Sequence, residues 1–371
     1  MTRRYANHAD SPSLTTSRGA ALYIGALLGP GLLLLPGLAA AEAGPASIVA
    51  WLALLGLSGL FAAVFSALGR RFPQAGGVIG YVTAGLGPRA GRAAGWSFLA
   101  GVVGGAPIVC LIGAGYVTEL TGGGRAARAA IAAALLLAVL ALAVAGLRVS
   151  AGAQLVLVGL LVALVAVAVA GSAGSARTGN WTPFAPHGWP PVGRAATTLM
   201  LSFVGWEAVA PLTTRFASPQ RQLPRVIAIA LAVTTVLYLG LAVATIGVLG
   251  PGAATSVPLA GLLGRAVGTA GPAVAAAAAA AVILTIGAVN AYVTGATTMA
   301  RQLAGRGVAA SERRTREPGF LAAIAAAGVL LITLYGLKLA GVAALVTVPT
   351  ALFLAVYLAC MPISGRLLTS W

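Results

Sequence analysis

Apolar residues run along this chain in long unbroken stretches. They show neither the period-2 alternation of half-buried strands nor the one-faced 3.6 period of soluble helices. The stretches fall near residues 19–41, 46–69, 93–119, 126–146, 149–171, 194–216, 225–249, 272–300, 319–337 and 339–361, each bounded by arginine or by Gly and Pro. A helix crosses a bilayer with about 20 apolar residues, and inside hydrocarbon a helix satisfies its own backbone. The pattern therefore predicts an all-α polytopic membrane protein of about ten transmembrane helices, with 1–18 as a tail and 19–371 as one membrane domain. One further apolar piece, Pro258 to Val267, is too short to cross and is expected to lie on the outer side.

Composition agrees: 59% of the 371 residues are hydrophobic and 8% are charged, against about 25% charged in soluble domains. The formal charge of +17 suggests nucleic acid at first sight, but the arginines sit on short connectors and form no basic stripe. They are expected to set orientation and to meet anionic lipid headgroups. With the N-terminus inside, 17 of the 23 Lys and Arg fall on inner segments and 6 on outer ones. This is expected to put both termini in the cytoplasm. A cleaved signal peptide is disfavoured, because Gly29-Pro30-Gly31 and Pro36 interrupt the first stretch. Cys110 and Cys360 lie in apolar runs, so neither a disulfide framework, a metal site nor a cofactor is expected.

Two stretches are broken at mid-depth. A membrane helix breaks only where protein or an aqueous cavity receives the freed backbone groups, so breaks point at sites. The first break is Gly29-Pro30-Gly31, where Pro30 lacks an N–H. The second is Ser202-Phe203-Val204-Gly205, followed by Trp206-Glu207. Gly31 and Gly205 stand 174 positions apart, in the first and the sixth stretch, an offset of five. An odd number makes the second copy inverted, predicting a five-plus-five inverted repeat, about 19–171 and 194–361. Half-helix starts offer N–H groups to a carboxylate and half-helix ends offer carbonyls to an ammonium, so the pair suits a zwitterion. Glu207, the one acid expected near mid-membrane, is a candidate proton-coupling or gating group, the plainer reading being a locked hydrogen bond.

Four blocks in this order resemble the amino acid–polyamine–organocation (APC) superfamily, and within it bacterial exporters of methionine and branched-chain amino acids. They are Gly29-Pro30-Gly31 with Pro36; Arg71-Phe72-Pro73-Gln74-Ala75-Gly76-Gly77 with Tyr81; Phe203-Val204-Gly205-Trp206-Glu207 leading to Ser218-Pro219 and Leu223-Pro224-Arg225; and Met299-Ala300-Arg301 through Gly307. The resemblance implies a substrate carboxylate at backbone N–H groups around Gly29, Pro30 and Gly31, and an ammonium at carbonyls near Leu27, Leu201 and Val204. It makes Phe203 a pocket wall or lid, turns Tyr292 toward the side chain, and has Gly101 and Val102 leave it room. Three departures stand out. Pro30 replaces a small polar residue of many relatives, Leu161 stands where some proton-coupled relatives carry lysine, and the chain ends after ten spans where relatives commonly have twelve.

The expected function is a secondary transporter, not an enzyme, moving a small neutral, apolar amino acid by alternating access. Protons are a candidate partner, the oligomeric state is open, and export is favoured by the resemblance alone. The alternatives are a polyamine or cationic amino acid carrier, a membrane sensor, or a truncated relic.

Overall fold

The structure is a computed structural model that describes residues 14–28, 31–72, 77–147, 151–207, 213, 216–268, 270–303 and 318–368. Gly29, Pro30, the whole of Pro73–Gly76, Gly307 and the stretch just after Glu207 lie outside the described residues.

The described chain is helical, and its one bridge of the β type is isolated, joining Leu14 to Phe216. Helices α1 (Thr16–Leu27) and α2 (Gly31–Ala43) make up the first expected stretch, and α3 (Ser47–Arg71) the second. After α4 (Val78–Leu86) come α5 (Pro88–Thr121), α6 (Arg125–Ala145) and α7 (Ala151–Ser172). The second half holds α8 (Pro190–Leu199), α9 (Pro219–Leu249), α10 (Pro258–Val267), α11 (Ala270–Leu303), α12 (Pro318–Gly336) and α13 (Val342–Leu368). Eight stretches among the described residues are long and apolar enough to cross a membrane. The expected spans fall on these helices, the first on both α1 and α2 and the sixth beginning in α8 and lying in part outside the described residues; α2 and α3 share the first of the eight. α1 and α8, of 12 and 10 residues, reach only part way through a core of about 30 Å at 1.5 Å per residue. α10 has the bounds expected of the short apolar piece, whereas α4 occupies what reads in sequence as a plain connector.

Burial sets the layers. In α5, 72% of the apolar window is enclosed, against 22% in α6 and 28% in the window of α7. α5 is thus the central helix, packed along α11, α13, α6 and α12, while α6 and α7 turn most of their surface to lipid. α5 starts at Pro88 in the first turn, where the missing N–H costs nothing, and stops at Gly122, whose φ of 69° is a left-handed cap.

Two arginines expected from sequence to mark the outer side make specific tertiary contacts. Arg125 donates to the Ala340 carbonyl at 2.7 Å and Arg128 to that of Leu111 at 2.9 Å. Both guanidinium groups lie against the Tyr335 ring, 4.4 and 5.5 Å from its centre, and so tie α6 to α5 and to the α12–α13 turn. Glu42, which reads in sequence as a solvated helix end, is half-buried. Its Oε1 accepts from Thr198 Oγ1 at 2.9 Å, joining the ends of α2 and α8.

Candidate functional site

The two breaks lie against each other. α1 stops at Leu28, whose ψ of 66° is not helical, and α2 begins at Gly31. α8 tightens into a 3-10 turn over Met200–Phe203, after which Val204 is extended and Gly205 takes a φ of 141°. A methyl group placed on Gly205 would come within 2.7 Å of the Ala26 carbonyl oxygen and 3.3 Å of Leu27 Cα. Glycine is required here twice over, by the positive φ and by the approach of the other break.

Tyr238 of α9 joins the breaks directly. Its hydroxyl lies 2.7 Å from the Leu27 carbonyl and 2.8 Å from the Ser202 carbonyl, and it donates one proton to the pair. Leu201 O receives only a long 3.4 Å bond from Val204 N and keeps most of its accepting capacity.

A cavity of about 80 Å³ opens where the breaks meet. Leu27, Gly31, Leu201, Ser202 and Val204 line its polar end, and Tyr238 and Tyr292 stand beside them. Its opposite wall is apolar: Gly101, Val102, Gly105, Ala106 and Val109 of α5, Ala288 and Val289 of α11, and Phe353 of α13. None of these lining side chains carries a charge. Eight of the residues expected at the site from sequence line this cavity: Leu27, Gly31, Gly101, Val102, Leu201, Ser202, Val204 and Tyr292. Gly29 and Pro30 lie outside the described residues.

Phe203 and Gly205 stand behind the lining. The Phe203 ring, 1% exposed, packs edge-on against Trp51 and Tyr238, with centroids 6.1 and 5.4 Å away. In this arrangement it is a buried wedge between α3 and α9 and forms no lid. Leu201, Ser202 and Val204 line the cavity, whereas Phe203, the last residue of the 3-10 turn, is turned away from it. Sequence reasoning missed Tyr238 and Phe353, because an aromatic on a membrane helix carries no mark of the side it faces.

Glu207 is also withdrawn from the cavity and is 6% exposed. Its Oε2 accepts from Gly205 N at 2.9 Å and from the Tyr357 hydroxyl. That hydroxyl in turn accepts from Gly205 N at 2.7 Å and Trp206 N at 3.1 Å. The Tyr357 ring is held edge-on by Phe61 and Phe65 of α3, at 4.8 and 5.2 Å. The carboxylate thus fixes the freed N–H groups of the second break to α13. Its Oε1 is buried with no hydrogen-bond partner.

Comparison with known proteins bears on what this geometry serves. The model of the amino acid permease family matches residues 14–367, nearly the whole chain. The chain belongs to that family. It is 31% identical over 365 residues to the uncharacterized amino acid permease YecA of Bacillus subtilis, covering 96% of this chain and 85% of that one. It is 34% identical over 230 residues to the L-methionine/branched-chain amino acid exporter YjeH of Escherichia coli, covering 61% of this chain and 54% of that one. A third relative, the branched-chain amino acid permease BcaP of B. subtilis, is 27% identical over 247 residues, covering 62% of this chain and 53% of the relative. The chain thus spans most of the first relative and about half the length of the other two. As a family member it is an amino acid transporter with multiple membrane spans.

Proposed function

We propose that the chain carries a small neutral amino acid with an apolar side chain across the cytoplasmic membrane by alternating access. The observation that carries this reading is the uncharged cavity at the meeting of two helix breaks. One end offers the start of α2 and the carbonyls of the α8 segment, which suit the two poles of a zwitterion. The other end offers only Gly, Ala, Val and Phe. A cationic amino acid or a polyamine would bring a second ammonium to a wall without an acid, at a cost of several kcal/mol per unpaired ion. The helices at the start of each half, α1–α2 and the α8 segment, are the moving parts of repeats at about 19–171 and 194–361. Both termini face the cytoplasm, and Glu207 Oε1 is the proton acceptor that couples or gates the cycle. Export is the proposed direction, supported by the likeness to YjeH.

Counterflow by the purified chain in proteoliposomes, with a panel of radiolabelled amino acids and diamines, tests the reading. Uptake of methionine, leucine, isoleucine or valine is expected. Counterflow confined to arginine, lysine or diamines, or none with any of the panel, would refute it.

A further inference from the structure

Buried polar atoms in native proteins nearly always have partners, and one left alone calls for an explanation. Ser202 Oγ is such an atom: the residue is 4% exposed and, although its hydroxyl lies near Tyr238, it makes no hydrogen bond of good geometry. The other such hydroxyls among the described residues, those of Tyr23, Ser47, Tyr81, Thr234 and Thr285, do not line the cavity, whereas Ser202 does.

Its place within the cavity is specific. A methyl group added to Gly31, the first residue of α2, would stand 3.4 Å from Ser202 Oγ. The first N–H groups of any helix lack intrahelical acceptors and mark its positive end. Residue 30, a proline by sequence, brings neither an N–H nor a polar side chain to this helix start. The Ser202 hydroxyl thus lies beside the first residue of α2, although it comes from the other half of the chain. The backbone beneath it is fixed, because the Ser202 carbonyl accepts from Tyr238.

We propose that Ser202 is a specificity-determining residue whose hydroxyl donates to the substrate's α-carboxylate, beside the N–H groups of Gly31 and Leu32. This rests on the carrier reading above. One oxygen of the carboxylate meets the start of α2 and the other meets Ser202, so the acid is held by both halves at once. Only a ligand that bridges them satisfies the lone hydroxyl. A neutral amide or an amine lacking the acid group gains less, since hydrogen bonds to a charged acceptor are about twice as strong as neutral ones.

The test uses the full chain in detergent and in proteoliposomes, with an amino acid that the unmodified chain exchanges in counterflow. Ser202→Ala and Ser202→Gly are compared with the unmodified chain for thermal stability without ligand, for affinity toward that amino acid, and for competition by its carboxamide. Ser202→Ala is expected to lose about 30-fold in amino acid affinity, about 2 kcal/mol at 1.4 kcal/mol per decade. Competition by the carboxamide should change by no more than about 3-fold. Stability without ligand should be unchanged or higher, because a hydroxyl without a partner is removed. Ser202→Gly, which leaves more space, should lose affinity in the same way. Unchanged affinity in Ser202→Ala, an equal loss for acid and carboxamide, or a fall in ligand-free stability would overturn the assignment while leaving the carrier reading intact. Absence of counterflow by the unmodified chain would overturn both.

Discussion

Replacing Gly205 by alanine perturbs the point where the two breaks touch, and its cost can be worked from the structure. At φ 141° an alanine lies outside the left-handed well and is strained by about 1–3 kcal/mol. Its Cβ would also meet Ala26 O at 2.7 Å and Leu27 Cα at 3.3 Å. Both atoms are backbone, so relief means moving one break off the other. Overpacking of this kind costs about 1–3 kcal/mol. Relief would also stretch the bonds from Gly205 N to Glu207 Oε2 and Tyr357 Oη, now 2.9 and 2.7 Å. The expected loss is about 2–6 kcal/mol in total, enough to lower the melting temperature clearly in detergent and to abolish counterflow. Gly240 of α9 is the control, since a methyl there would meet nothing nearer than Val169 Cγ1 at 3.8 Å. Gly240→Ala should stay within about 1 kcal/mol of the unmodified chain and should transport. Gly205→Ala with normal melting and normal counterflow would refute the interlock, because the breaks could then separate without consequence.

Further variants probe the same region. Gly31→Leu should leave the chain in the membrane but abolish substrate binding, since even a methyl there would stand 3.1 Å from Leu35 Cδ1 and 3.4 Å from Ser202 Oγ; wild-type affinity by scintillation proximity binding would rule out a carboxylate at the start of α2. Glu207→Gln should keep binding, because the amide oxygen can still accept from Gly205 N and Tyr357, yet lose the pH dependence of net transport; an unaltered rate–pH profile in proteoliposomes would reduce Glu207 to a structural tie. Gly37→Ala should favour a conformation in which the 250–257 segment has left α2, because its Cβ would fall 1.9 Å from the Thr255 carbonyl oxygen; thiol labelling of a cysteine placed at Ala40 should speed up, and unchanged labelling would count against a gate at this contact.

The spans were legible in sequence because hydrocarbon imposes one rule on every one of them, and the breaks were legible because they violate it. Gly205 could be singled out from its neighbours, and its φ and its contact with Ala26 give the physical reason. What sequence left open was direction. Phe203, Ser202 and Val204 are consecutive, yet Ser202 and Val204 face the cavity and Phe203 faces Trp51. Helical periodicity would settle such a question, but it fails in an unwound segment, where each side chain is placed by local dihedrals. α4 escaped notice because nine residues, Val78–Leu86, are too few for a hydropathy signal and its caps are glycines common to any connector. Arg125 and Arg128 read in sequence as connector charges that set orientation and meet lipid headgroups, and Glu42 as a solvated helix end; their bonds to the Ala340 and Leu111 carbonyls and to Thr198 are tertiary facts with no local trace.

The division of labour around the second break follows from these positions. A carboxylate inside a substrate pocket would compete with the substrate's own acid group for every donor there and would repel it. Glu207 avoids that conflict by accepting from Gly205 N and Tyr357 behind the cavity, on the far side of the unwound backbone. The N–H groups that the break frees are thereby spent on Glu207 and Tyr357, while the Leu201 carbonyl and the Ser202 hydroxyl keep capacity on the cavity side. Any change at Glu207 must reach the substrate through Gly205 and Val204, whose backbone it holds. A variant there should therefore alter how fast the two breaks rearrange more than how tightly the amino acid is held.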